Sequence, residues 1–470
     1  MRNAYGFTLA FHFNEAQRLL EAESDENPGN DIVLLYYNYI DFLKAFSSEE
    51  KSDYDSLIGR SNRREKTIRL DKANQLSPFY LYILAEFQIQ RALLEVKFGD
   101  NIQAALNLKN AYNSIIRNAR KFPGFILNGK ILGFIHSLVG SVPPKFQWLV
   151  SLSGMEGNLG NGISELKLAY RQADTSIYSC YRGEILFYLG SIYSMFSISS
   201  DSFKIYDEIQ KLIPSNPLLA YTYINMLMKR GANDEALVEL NRFMKNKDTI
   251  NFNYLYYNRG LAHLRKLDAA AQDDFTLFIN KYKGVNYLKS AYQKLAWISL
   301  IRGDTIGYKK YLEQCAISGN TIVDEDKEAQ LEAESGLIPN VYLLKARTLF
   351  DGGYYQASLE QISDKSIRDF PSFKEQLEVT YRVSRIMHMM GQIEQAINNY
   401  EATIRIGSAS RFYYAANSSL LLGNIYESQG NIAKAKFYYQ LCLSMKNTEY
   451  KNSIDQKAKL GLERLKDSSN

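Results

Sequence analysis

The sequence predicts an all-α fold, a right-handed superhelical solenoid of paired helices, and three observations lead there. Apolar residues recur with a 3.6-residue period over long stretches, the pattern of helices with one buried face. Glycines return at matched intervals: Gly391 and Gly430 lie 39 residues apart, and Gly231 and Gly303 lie 72 apart, two steps of 36. Only 9 prolines punctuate 470 residues, so little interrupts helix. A fixed period of this length marks a repeat array, in which each unit packs on its neighbours alone.

Residues 1–121 predict helices whose phase is harder to set. Residues 13–20 (FNEAQRLL) predict the second helix of a hairpin, and residues 32–46 the first helix of the next. The acidic, Ser-rich residues 47–55 predict a loop, and the basic run Arg60, Arg63, Arg64, Lys66 and Arg69 a solvated loop-to-helix face. Residues 80–98 and 104–120 predict two amphipathic helices joined at Gly99 and Asp100. Residues 122–175 break the rhythm. There Pro143 and Pro144, then Phe146, Trp148 and Leu149, then the glycine-rich residues 154–160 predict an apolar Pro-Pro helical hairpin followed by a loop. Its apolar runs are cut by Lys130, His136, the two prolines and Lys145, and fall short of the ~20 residues that cross a membrane.

From residue 176 to 470 the repeats are explicit. In the last unit, Gly423 and Ala435 are small where two helices approach, Tyr426 and Tyr439 fill the space between hairpins, and Gly430 closes the first helix with its permissive backbone. The unit before it repeats the pattern with Val383, Ser384, Met387, Gly391, Ala396 and Tyr400. Earlier units are anchored on Gly190, Gly231, Gly260, Gly303 and the doubled Gly352 and Gly353. This spacing resembles the tetratricopeptide repeat (TPR), which implies a solenoid whose concave face, lined by the first helix of each hairpin, holds a protein or peptide. Within the first 200 residues, Pro143, Pro144, Gly154 and Leu166, together with Phe13, Asn14, Glu15 and Ala16, resemble the inclusion-body-clearance and tetratricopeptide-domain thirty-nine family. That resemblance implies an adaptor-like role.

Composition narrows the function further. A net charge of +5 from 56 basic and 51 acidic residues makes no broad field for phosphate backbones, so nucleic acid is not an expected partner. Cys180, Cys315 and Cys442 lie far apart with no CxxC pair, so neither a disulfide framework nor a zinc site is expected. The four histidines, His12, His136, His263 and His388, stand singly in helical segments, and Met387, Met389 and Met390 beside His388 predict a core stripe. There is no HExxH, P-loop or GxSxG motif, and no strand precedes the glycine-rich residues 154–160 to aim them at a phosphate. The chain is therefore expected to be no enzyme and to take no cofactor and no metal.

Phasing the hairpins on their glycines puts Tyr221, Asn225, Lys229, Tyr254, Tyr257, Arg265, Gln293, Trp297, Tyr381, Arg385, Asn417, Asn424 and Glu427 on the concave face. Aromatic, Arg and amide groups of this kind are enriched at binding hot spots. Chaperone-binding TPR domains resemble this pattern and grip a terminal carboxylate with lysine and asparagine. Here Tyr221 or Tyr257 stands where the first lysine belongs, and only Asn225 fits, so the likeness stops short of that clamp. The expected function is a scaffold or adaptor for a protein partner, with an envelope- or lipid-surface adaptor anchored through the Pro143-Pro144 hairpin as the alternative. At the N-terminus the short apolar run over residues 4–13 lacks a small-residue cleavage site, which predicts a helix rather than a signal peptide. As written the chain is expected to be cytoplasmic, and an upstream signal would move it to the cell envelope.

Overall fold

The expected helical hairpins are present in the computed structural model, which describes the chain except residues 71–72, 140–153, 197–203, 214–215, 246–251 and 468–470. In chain order the helices are α1 (Arg2–Leu9) and α2 (Phe13–Glu26), α3 (Ile32–Ser48) and α4 (Lys51–Leu70), α5 (Pro78–Lys97) and α6 (Asn101–Lys121), α7 (Leu127–Val139) and α8 (Leu159–Asp174). Then come α9 (Arg182–Phe196) and α10 (Ile205–Leu212), α11 (Pro217–Lys229) and α12 (Asn233–Met244), α13 (Tyr254–Arg265) and α14 (Ala271–Lys281), α15 (Leu288–Ile301) and α16 (Thr305–Ile317). The array continues with α17 (Asp324–Ser335), α18 (Val341–Asp351) and α19 (Tyr355–Glu360), α20 (Phe373–Met389) and α21 (Ile393–Gly407), α22 (Tyr414–Ser428) and α23 (Ile432–Ser444), and ends on α24 (Lys451–Asp467). No strand occurs among the described residues, and the fold is an all-α solenoid of TPR-like hairpins.

Local chemistry sets the boundaries. Ser77 accepts from the Phe79 amide ahead of Pro78, and Asn216 accepts from Leu219 ahead of Pro217, so both helices start on a capped end with proline where no amide is needed. Asp100, placed by the sequence at the joint between two helices, caps α6 by accepting from Gln103. Ser372 and Glu375 form a reciprocal capping box on α20. Gly391 (φ +78°) and Gly430 (φ +71°) end α20 and α22 in the left-handed region, as their periodic placement anticipated.

Two expectations are corrected. Residues 47–55 are mostly helix, because α3 runs to Ser48 and α4 begins at Lys51. The basic run then lies within α4 and is partly paired rather than simply solvated. Arg60 and Arg64 both reach Asp41 at 2.7 Å, and Arg91 from α5 meets Glu65 at 2.5 Å. Helix α17 was not anticipated. It packs on α15 and α16 outside the hairpin count, and Asp326 at its start accepts from the Tyr287 and Ser290 amides to cap α15 from a distance.

The array is strongly curled. Buried Glu49 at the end of α3 binds Lys97 at 2.5 Å and accepts from the Tyr282 hydroxyl (2.8 Å) and the Asn286 amide (3.0 Å), more than 230 positions along the chain. The 352–354 turn likewise lands on the 231–234 turn, where Asn233 donates to the Tyr354 hydroxyl, which donates to Asp234. A Cβ on Gly353 would sit 2.1 Å from the Gly231 carbonyl oxygen, so only glycine allows that approach.

Candidate partner-binding surface

The first helices of the N-terminal hairpins close into a ring. Helix α1 touches α3, α3 touches α5, α5 touches α7, α7 touches α9, and the 3-10 turn Ser179–Tyr181 before α9 returns to α1. The middle of that ring is filled. Lys130 of α7 lies 2.6 Å from both Glu86 of α5 and Glu184 of α9, with side-chain exposures of 0%, 0% and 4%. Tyr5, Tyr39 and Tyr188 surround the carboxylates at hydrogen-bond distance. Charged groups enter a core only when mutually paired and hydrogen-bonded, and here they take the space a bound segment would need. None of these was singled out from the sequence. Glu86, Lys130 and Glu184 are scattered along the chain, and Lys130 reads there only as a charge interrupting an apolar run.

Beyond α10 the inner face stays partly open. Tyr221 of α11 and Tyr254 of α13 are half-buried, 6.0 Å apart, and Tyr254 continues to Tyr287 at 4.5 Å, an aromatic ladder across successive hairpins. Burial raises all three tyrosines well above their ordinary value, and Glu325 of α17 is near enough to add to each shift. Side chains that keep some water contact yet are heavily desolvated are what a concave surface produces. Glu325 also acts on Lys294 of α15, so its charge is felt along α11, α13 and α15. Lys229 of α11 and Arg385 of α20 both act on Lys457 of α24.

The thirteen residues expected on this face divide. Lys229 and Asn424 are exposed, while Tyr221, Asn225, Tyr254, Arg265, Arg385, Asn417 and Glu427 are half-buried. The remaining four are corrections: Tyr257 (1% exposed), Gln293 (3%), Trp297 (8%) and Tyr381 (1%) are inside the packing between hairpins. Tyr257 is spent against Phe275, Phe278 and Ser290. Gln293 and Trp297 donate to Glu332 at 2.6 and 2.9 Å. Tyr381 accepts from Arg385 and Asn417. Asn424 and Glu427 are tied to Tyr439, and Arg464 of α24 clasps Glu427 at 2.8 and 2.7 Å.

Residues the sequence did not single out complete the surface. Lys294 stands 3.7 Å over the Trp297 ring, and the Arg347 guanidinium lies 4.3 Å from the same ring. Burial, aided by Arg347, pushes Lys294 down to about 8. Ordinary lysines stay protonated at that pH. Brief acetylation at about pH 8 is therefore expected to mark Lys294 ahead of the exposed lysines in a peptide map, and labelling no faster than theirs would refute its depressed basicity.

No group of three or more His, Cys, Asp or Glu that could hold a metal occurs among the described residues, and no described helix is long and apolar enough to cross a membrane. Pro143, Pro144, Phe146, Trp148 and Leu149 lie outside the described residues. The fold and surface together define a helical-repeat protein of TPR-like construction. No protein-family model matches the chain, and no curated protein matches it. Among solved structures it is similar to the crystal structure of yeast Tom70, at 16% identity over 99% of this chain and 97% of that one, with a TM-score of 0.29. So low a score carries no argument, and the fold assignment stands on the hairpins of the chain itself.

Proposed function

We propose that the protein is a scaffold that holds a segment of another protein against the open inner face of the array beyond α10, the N-terminal ring acting as a rigid base. The observation that supports this reading is the contrast between two inner faces built from the same repeat. One is filled by its own side chains, and the other keeps half-buried aromatics and cations in contact with solvent. Truncating a true aromatic anchor typically costs ~2 kcal/mol or more of binding.

Charge narrows the partner. Neither Lys229 nor Lys457 has a carboxylate at ion-pair distance among the described residues, and both are exposed. Partial desolvation by the surrounding protein, with the two neighbouring cations, lowers the basicity of Lys457 although its side chain still meets solvent, a penalty that a carboxylate from a partner would relieve. The reading therefore favours a segment carrying Asp, Glu or a chain terminus. The test is affinity purification of the intact protein with mass spectrometry, set beside Lys229→Glu/Lys457→Glu. The double variant is expected to stay folded and lose its co-purifying protein by about tenfold or more, with salt weakening the wild-type complex. Retention of the same partner by the double variant would remove this face from the account.

An envelope- or lipid-surface role through the Pro143-Pro144 segment is the second reading, resting on Phe146, Trp148 and Leu149 in the sequence. Replacing Phe146 and Trp148 with Ser separates the two, since only a lipid-facing pair would abolish liposome flotation and leave thermal stability intact.

A further inference from the structure

We propose that the buried Glu86–Lys130–Glu184 network holds one extra proton, on Glu86, and that this proton makes closure of the N-terminal helical ring sensitive to pH. The reason is a count of hydrogens. The Tyr39 hydroxyl oxygen lies 2.7 Å from Glu86 Oε2 and 2.6 Å from Glu184 Oε1, yet a phenol has one hydrogen to give. With both carboxylates ionised, one of those two contacts would set lone pair against lone pair inside a closed core.

The donors show where the missing hydrogen sits. Glu184 has four: Tyr39 and Tyr188 (3.0 Å) on Oε1, Tyr5 (2.7 Å) and Lys130 (2.6 Å) on Oε2. That fills the acceptor capacity of an ionised carboxylate. Glu86 has only the contested Tyr39 contact on Oε2; the Lys130 ammonium lies 2.6 Å from Oε1 as an ion pair without hydrogen-bond geometry, and donates to the Tyr39 oxygen at 3.4 Å instead. A hydrogen on Glu86 Oε2 resolves the conflict, because Glu86 then donates to Tyr39 and Tyr39 donates to Glu184. The charge of the group falls from minus one to zero, which a site without solvent requires.

Every titratable group facing the network fits. Tyr5 comes from α1, Tyr36 and Tyr39 from α3, Tyr82 from α5, Cys180 and Tyr181 from the turn before α9, and Tyr188 from α9. All are raised by burial, so all are neutral near pH 7. Burial opposes the ammonium of Lys130, but the two carboxylates hold its basicity up. Burial likewise raises Glu86, with Lys130 opposing and Glu184 adding to the shift.

The sign follows. An unfolded glutamate releases its proton near pH ~4.3. Folded Glu86 keeps it to higher pH, so this group stabilises the fold fully below that value and progressively less as pH climbs through its raised folded-state pKa. Deprotonation places a net negative charge at the meeting point of five helices.

Infrared difference spectroscopy of the full chain at about pH 8 tests this, above the titration of Asp326, which burial pushes up to about 6. The wild type is expected to show the carbonyl band of a protonated carboxyl that Glu86→Gln lacks. Glu86→Gln should match the wild-type denaturation midpoint below about pH 4, lack the decline that wild type shows as pH rises from there, and so stand at or above wild type near pH 7, whereas Glu184→Gln should lower the midpoint sharply. Absence of the band in the wild type overturns the proposal, a reading that needs no variant to fold. So does a band that survives in Glu86→Gln, or a midpoint in Glu86→Gln as low as in Glu184→Gln.

Discussion

Lys130→Met is expected to destabilise the fold by about 3–5 kcal/mol, the cost of removing one partner from a buried ion pair. Lys130 has no exposed surface, and its ammonium lies 2.6 Å from each of two carboxylates. Methionine matches much of the volume, so the loss comes from charge: Glu184 loses one of its four donors and Glu86 loses its ion-pair partner. The rings of Tyr82 and Tyr181, 5.3 and 5.4 Å from the ammonium, lose a cation as well. Circular dichroism in a denaturant series should show the N-terminal ring opening first. A midpoint within experimental error of wild type would mean that the network is not closed to water.

Gly423→Leu should cost roughly 1–3 kcal/mol, at the upper end of that range. A Cβ there would stand 2.5 Å from ring atoms of Tyr439, which has no exposed surface. The ring has nowhere to go, because Gly461 of α24 presses on it from another side and its hydroxyl is held by Asn424 and Glu427. A repeat array transmits damage mainly to its nearest neighbours. Hydrogen exchange should therefore rise across α22, α23 and α24 and leave α1 to α10 unchanged. Protection of α22 to α24 equal to wild type would show that the crossing has slack.

The last hairpin is legible in the sequence. Spacing alone puts Gly423 and Ala435 at the close approach of the last hairpin and Tyr439 between hairpins, and all three are buried. A small residue at a helix crossing and a glycine after the last turn are each forced by local sterics, so each leaves a periodic trace. The inner face leaves a poorer one. On a first helix, the positions facing the groove and those facing the next hairpin are neighbours around the helix, and tyrosine serves both. Tyr221 and Tyr254 keep solvent contact, whereas Tyr257, one turn along, packs between hairpins. Trp297→Ala, which the sequence suggests would affect binding alone, is consequently expected to weaken the fold through the lost Glu332 bond and the lost surface under Lys294 and Arg347.

The N-terminal network was illegible for a different reason. It depends on how tightly five hairpins curl, and curvature is a sum of small rotations that no single repeat encodes. Lys130 lies 44 residues from Glu86 and 54 from Glu184, a separation with no period in common with either helix or hairpin.

The proposed protein partner lies along the inner face beyond α10. Photo-activatable cross-linkers placed singly at Lys229 and Lys457 inside, and at the exposed outer positions Val238 and Phe437, test it most directly. One and the same protein should be captured from both inner positions and from neither outer one. Capture of that protein from Val238 or Phe437 alone would contradict it.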